Sequence, residues 1–333
     1  MERGALVEGL HGKLQGIAGY LGQRTAKAPD RRTLRSLVKA KIGEICFVGD
    51  WEPMWEYKLV GVDGSTAGVG AGTSRLDVVS AVAMCAGGPK VAKFDVVCSV
   101  LPQHVEQAKE LASSRNMPME MGYELLVKAR MAALECLACG ELMSQLGGHM
   151  SLVVMDGGFL RYESLCPSEW RSLTEVLGHP PVMLVGVIEE VGTFEVARMV
   201  AQVLGTEWPS NDRELLFGLL EPGECIMVRQ ELAFKGDYYT VFARLSDHPQ
   251  PVAIDFLRRD ADPYTVKKVV STLYHITSRS SRGVPLWLDV VDQEARLSER
   301  DIWAVVTTYL GQEVLEKLFL PHRSRRDSFT LEG

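Results

Sequence analysis

A mixed α/β fold is expected for this chain of 333 residues, and three observations predict it. Short apolar runs broken by glycine recur between residues 60 and 100 and again between 152 and 258, the pattern of buried strands. Longer stretches with helical spacing lie between them, at 102–115 and 120–146. Two of the apolar runs end on an aspartate followed by glycine, at Asp63-Gly64 and Asp156-Gly157, a strand-to-turn signal.

Taken in order, residues 5–22 and 31–46 read as helices separated at Pro29-Asp30. Strands follow at 60–63, 76–84 and 91–100. A glycine-rich turn separates the first two, and Gly87-Gly88-Pro89-Lys90 turns the last two. These make a three-stranded antiparallel meander. The helices at 102–115 and 120–146 lead into strands at 152–156 and 182–189, then a helix at 193–204. Strands at 225–233, 238–245 and 252–258 come next, with Lys235-Gly236-Asp237 as a hairpin turn. Helices at 263–278, 287–296 and 299–318 finish the chain. Three antiparallel strands, helices, then further strands form the layout of an RNase H-like mixed sheet core flanked by helices. The expected organisation is a helical N-terminal extension (1–50), a main domain with additional strands in its second half (51–320), and a basic tail (321–333).

Composition narrows the function classes. Apolar residues make up 46% and charged residues 24%, ordinary values for a water-soluble domain. No apolar run is long enough for a membrane span, and no secretory signal is visible at the N-terminus. Seven scattered cysteines suit reduced thiols in a cytoplasm. The net charge of −7 does not advertise nucleic-acid binding, but residues 24–41 hold seven basic side chains against Asp30 alone. Arg31, Arg32 and Arg35 belong to this patch, and His322 to Arg326 form a second. Such patches neutralise phosphates even on an acidic protein; a solvated helix face and a frayed tail are the plainer alternative.

The two Asp-Gly sites carry the chemistry. Aspartates ending neighbouring buried strands repel each other unless a cation lies between them. Each alone is also an ordinary turn former or helix cap. A third acid comes from the helix at 120–146, which offers Glu124, Glu135 and Glu141. Five strand steps back from Asp156 cover roughly 17 Å, or about eleven helical residues. That count lands on Glu135, with Glu141 second. Hard carboxylate oxygens suit Mg²⁺ or Mn²⁺, and one or two such ions suit phosphodiester cleavage.

At these residues the chain resembles the NurA nucleases. Val60 to Ser65 resembles the first motif of that family, Val153 to Leu160 its second aspartate motif, Arg130 to Glu141 its glutamate helix, and Gly283 to Leu288 its Gly-Tyr-Pro segment. The resemblance spans about residues 57–310. It implies an RNase H-like fold, a homodimer, and an Mn²⁺-dependent nuclease with 5′-to-3′ exonuclease and single-strand endonuclease activity. It also implies a hexameric HerA-type translocase as partner in resecting double-strand breaks. Asp63, Glu135 and Asp156 carry over as metal ligands.

Two departures stand out. Where the family has a histidine after Gly-Tyr-Pro, this chain has Asp292, which can complete a metal shell but lacks a histidine's proton chemistry at pH 7. Where the family carries a lysine after the strand at 182–188, this chain has Glu189. A non-catalytic subunit that keeps the fold, the DNA and the translocase is therefore the rival expectation. An α/β enzyme acting on a small phosphorylated ligand is a third.

Other motifs weigh less. Gly68 to Thr73 lacks a phosphate-loop ending and reads as a hairpin turn. Cys136 and Cys139 have metal spacing without a second pair and read as core. Arg258 and Arg259 at a strand end can clamp a phosphate or hold a strand edge. Tyr238, Tyr239 and Trp303 are stacking or core aromatics.

Overall fold

The computed structural model describes residues 3–26, 28–71, 74–177, 181–232 and 234–319; Lys27 and the basic tail lie outside the described residues. Nine strands form one sheet: β1 (Gly43–Phe47), β2 (Lys58–Ala71), β3 (Ser74–Cys85), β4 (Lys90–Cys98), β5 (Ser151–Asp156), β6 (Val182–Ile188), β7 (Glu224–Val228), β8 (Tyr238–Ala243) and β9 (Val252–Leu257). Their order is β1-β7-β8-β9-β6-β5-β2-β3-β4. β2, β3 and β4 form the antiparallel meander. β5 adds parallel to β2 and β6 parallel to β5, so β4-β3-β2-β5-β6 has the RNase H-like order. β9, β8, β7 and β1 extend the sheet antiparallel.

The helices are α1 (Arg3–Thr25), α2 (Arg31–Lys41), α3 (Pro102–Ser114), α4 (Met119–Leu146), α5 (Phe159–Leu165), α6 (Pro167–Leu177), α7 (Glu195–Leu204), α8 (Asp212–Leu216), α9 (Pro263–His275), α10 (Leu286–Ala295), α11 (Glu299–Leu310) and α12 (Gln312–Leu318). Strand alternation assigns them to layers. Val60, Val62, Val153 and Met155 face α4, α5 and α6 through Cys136, Cys139, Phe159, Tyr162 and Trp170. Leu152 and Val154 face α9 and α10 through Val266, Val269, Val270 and Leu288. Cys136 and Cys139 are therefore core residues, as are Tyr238 and Tyr239.

Three local expectations are corrected. The helix expected to run to residue 46 ends at Lys41, and Gly43–Phe47 becomes an edge strand against β7. A Cβ on Gly43 would lie 2.0 Å from the Met227 carbonyl oxygen, so glycine permits this pairing. The glycine-rich segment expected as a turn instead continues β2 through Ala71, paired to β3. A Cβ on Gly68 would meet the Asp77 carboxylate at 2.4 Å; the glycines clear room for the buried Asp77, which Tyr123 and Arg75 hold. The last expected helix splits at Gly311, whose φ of +76° favours glycine.

Candidate active site

The parallel register of β2 and β5 pairs Val62 with Met155, so the next residue on each strand is an aspartate. Neighbouring strands lie about 4.8 Å apart, which sets Asp63 and Asp156 side by side on one face. That face looks toward α10: a Cβ on Gly61, two residues before Asp63, would strike Val291 and Trp287. β5 ends at Asp156 while β2 runs on to Ala71, leaving a notch beside Asp63 where the sheet stops. Gly157, at φ +92°, turns the chain there, and its amide still donates to the Val187 carbonyl.

Asp63 is buried. Burial first, then the charges of Asp156 and Glu135, push its carboxyl up to about 8. Burial also raises Asp156, opposed by Arg161 and Arg282 and by a hydrogen bond to Asp63. Both carboxyls are thus held above the ordinary carboxylate range, as happens to carboxylates forced together.

Glu135 enters the notch from the α4 layer, level with Asp156 as the helix count expected. Its side chain is fully buried and both oxygens are held. Arg161 Nη2 donates to Oε1 at 2.7 Å, and the Tyr162 hydroxyl lies 2.6 Å from Oε2. Arg161 Nη1 also donates to the Asp156 main-chain carbonyl at 3.1 Å. Burial raises the Glu135 carboxyl, opposed by Arg161 and Tyr162. Gly64 makes this approach possible: a Cβ there would lie 2.5 Å from Glu135 Oε1 and 2.6 Å from Met131 Cγ. Gly64→Ala is expected to destabilise the fold by about 2 kcal/mol through overpacking, read as a lower midpoint in urea unfolding.

Asp292 on α10 adds a fourth negative charge that both aspartates feel, and it accepts from Arg296 at 2.8 Å. Glu189 follows β6 and pairs with Arg282 Nε at 3.1 Å; Arg282 also reaches Asp289 at 2.9 Å. The acid at the lysine's expected place therefore shares with Asp289 an arginine that also acts on Asp156.

The donor chemistry fits a hard divalent ion at Asp63 and Asp156: oxygen ligands, a like-charged pair with one member buried, and a proton to displace. Among the described residues no group of three or more His, Cys, Asp or Glu has metal-holding spacing. Arg161 and Tyr162 occupy both oxygens of Glu135.

A NurA domain family model matches residues 57–297, most of the chain and every residue of the acid cluster. The chain belongs to the NurA family. Its fold is similar to the NurA nuclease from Sulfolobus solfataricus, with 15% identity and a TM-score of 0.55 over 94% of this chain and 98% of that one. A NurA structure with manganese gives 10% identity and a TM-score of 0.52 over 89% and 98%. A third NurA structure gives 9% and 0.54 over 90% and 97%. These identities establish the fold. No curated protein sequence matches. Family membership and fold together support a nuclease.

The arginines expected to hold DNA lie elsewhere on the NurA chain. Arg31 donates to Glu221 and to the Leu219 carbonyl. Arg35 makes a two-toothed pair with Glu224 at 2.6 and 2.7 Å. Both anchor α2 beside β7, four strand steps or roughly 19 Å from β5. Arg32 is exposed on the same helix. Arg258 donates to the Gly236 and Gln230 carbonyls and Arg259 to that of Thr174. The cleft of about 620 Å³ that they line with Trp170 and Tyr238 includes none of the acids. The sequence reading missed Arg161 and Arg282. The first directly follows the Val153 to Leu160 motif and the second directly precedes the Gly283 to Leu288 motif, so both lie one residue outside them.

Proposed function

We propose that this chain is a metal-dependent DNA nuclease of the NurA type, with Asp63 and Asp156 holding Mn²⁺ or Mg²⁺. The observation that carries the reading is the pair of aspartates, Asp63 buried and Asp156 partly buried, set side by side by the β2–β5 register. A divalent ion supplies relief of phosphate charge and a more acidic attacking water. Asp63 and Asp156 orient it, the Arg161–Tyr162 clamp fixes Glu135 behind them, and Arg282 offers a half-exposed cation at the rim. The solved relative containing manganese supports the choice of metal. Exonuclease polarity from 5′ to 3′, single-strand endonuclease action, a homodimer, and a HerA-type translocase in end resection complete the reading on the strength of family membership. No helix among the described residues is long and apolar enough to cross a membrane.

The clamped Glu135, with Asp292 and Glu189 in place of the family's histidine and lysine, favours one second reading: a NurA subunit that binds DNA and docks the translocase without cutting. Incubating single-stranded DNA with the purified chain and Mn²⁺, with EDTA as control, separates the two. Metal-dependent shortening of the strand is expected. Retained DNA binding with no cleavage would establish the second reading instead.

A further inference from the structure

We infer that Arg161 is a built-in counter-cation that holds this acid site to a single divalent ion, standing where a second ion would otherwise sit. The inference rests on the proposed metal site and concerns how many ions it takes.

The geometry fixes Arg161 firmly. It lies on the first turn of α5, and that turn is pinned by the buried Asp255, which accepts from the Phe159 amide at 3.2 Å. From there the guanidinium spans the notch, reaching Glu135 Oε1 at 2.7 Å and the Asp156 carbonyl at 3.1 Å. Its carbon lies 5.1 Å from the centre of the Tyr162 ring. Tyr162 in turn occupies the other Glu135 oxygen. Both oxygens of the would-be third ligand are thereby committed, and the side chain that commits them is a permanent cation.

Charge counting gives the same answer. Asp63, Asp156 and Glu135 sum to −3 when ionised, and Arg161 brings them to −2, which one divalent ion neutralises. Of the neighbouring acids, Asp292 pairs with Arg296, and Glu189 and Asp289 share Arg282. A second divalent ion would leave an excess of +2 in a poorly hydrated notch, an unfavourable state at low effective dielectric. The contacts to Glu135 and Asp156 use two of the five N–H groups of Arg161. The others are available to a phosphate oxygen, so the guanidinium supplies the substrate with the charge that the excluded ion would have supplied.

Titration calorimetry with MnCl₂ at pH 8.5, without DNA, tests this on the wild type, Arg161→Lys, Arg161→Gln and Asp63→Asn. The wild type and the lysine variant are expected to bind about one ion per chain. The glutamine variant is expected to take a second ion, and the asparagine variant to lose the first. Two ions of similar affinity in the wild type would overturn the inference, even if the glutamine variant failed to fold. A glutamine variant that folds and binds one ion with unchanged affinity would also overturn it. Absence of any Mn²⁺ binding by the wild type would instead remove the metal site itself, and this inference with it.

Discussion

Asp63→Asn is expected to lower Mn²⁺-dependent DNA cleavage by about a thousandfold, or about 4 kcal/mol of transition-state stabilisation. The same substitution is expected to make the metal-free protein more stable at alkaline pH. The two effects share a cause. In the unfolded chain this carboxyl has its ordinary value of 3.8, and in the folded protein burial and Asp156 push it up to about 8. Between those values the folded state binds the proton and the unfolded state does not. Wild-type stability therefore falls as pH rises from about 4 to about 8. Asparagine keeps the shape of the protonated acid and has no proton to lose. The two proteins should match below pH 4. Above pH 8 the variant should be more stable by on the order of 3 kcal/mol. Urea unfolding in EDTA at pH 4, 6 and 8.5 reads this directly. Adding Mn²⁺ at pH 8.5 should reverse the ranking, since an ion at 100 times its Kd stabilises the wild type by about 2.7 kcal/mol and the variant hardly at all. A wild type that gains stability from pH 4 to 8.5 without metal would contradict the raised Asp63 carboxyl.

Asp255→Ala is the second large effect, and its cost falls on the fold. Asp255 is fully buried on β9. It accepts from Lys235 Nζ at 2.6 Å, Thr240 Oγ1 at 2.7 Å and the Phe159 amide at 3.2 Å. Gly158 leaves the space for this contact: a Cβ there would lie 3.0 Å from Asp255 Oδ2. Removing the carboxylate strands the Lys235 ammonium, whose side chain is only 10% exposed. Breaking a buried pair from one side costs about 3–5 kcal/mol, and a melting temperature roughly 10 °C lower is expected. Because the same carboxylate pins the start of α5, Arg161 and Tyr162 lose their footing on Glu135 as well. Asp255→Asn, which retains a hydrogen-bonding carbonyl, should fall between. An unchanged melting temperature for the alanine variant would show that Lys235 finds another partner.

The parts of this structure legible in the sequence are those set by short-range pattern. Asp63 and Asp156 each close an apolar run and precede glycine, and two parallel strands of similar length bring such positions level. The level of Glu135 follows from counting helix rise against strand rise. What escaped the reading depends on distant partners. β2 was read too short because its glycines look like a turn. They are there to admit Asp77 and Glu135 from neighbouring elements. Arg31 and Arg35 look like a phosphate patch until the fold supplies Glu221 and Glu224, nearly two hundred residues away, to hold them. The clamp on Glu135 was hidden for the same reason. It requires α5 to turn back across the notch, and a single residue on a short helix carries no periodic signal. Asp292 pairs with Arg296 four residues further on, a spacing open to sequence, whereas the Glu189–Arg282 pair appears only once the fold brings Arg282 to the end of β6.

The most direct test of the central claim, that Asp63 and Asp156 form a cation seat, is an anomalous-scattering map at the manganese absorption edge from crystals soaked in MnCl₂. The account predicts a peak within about 2.2 Å of carboxylate oxygens from both aspartates. A peak bound elsewhere, or none at this pair in crystals that take up manganese, would contradict it.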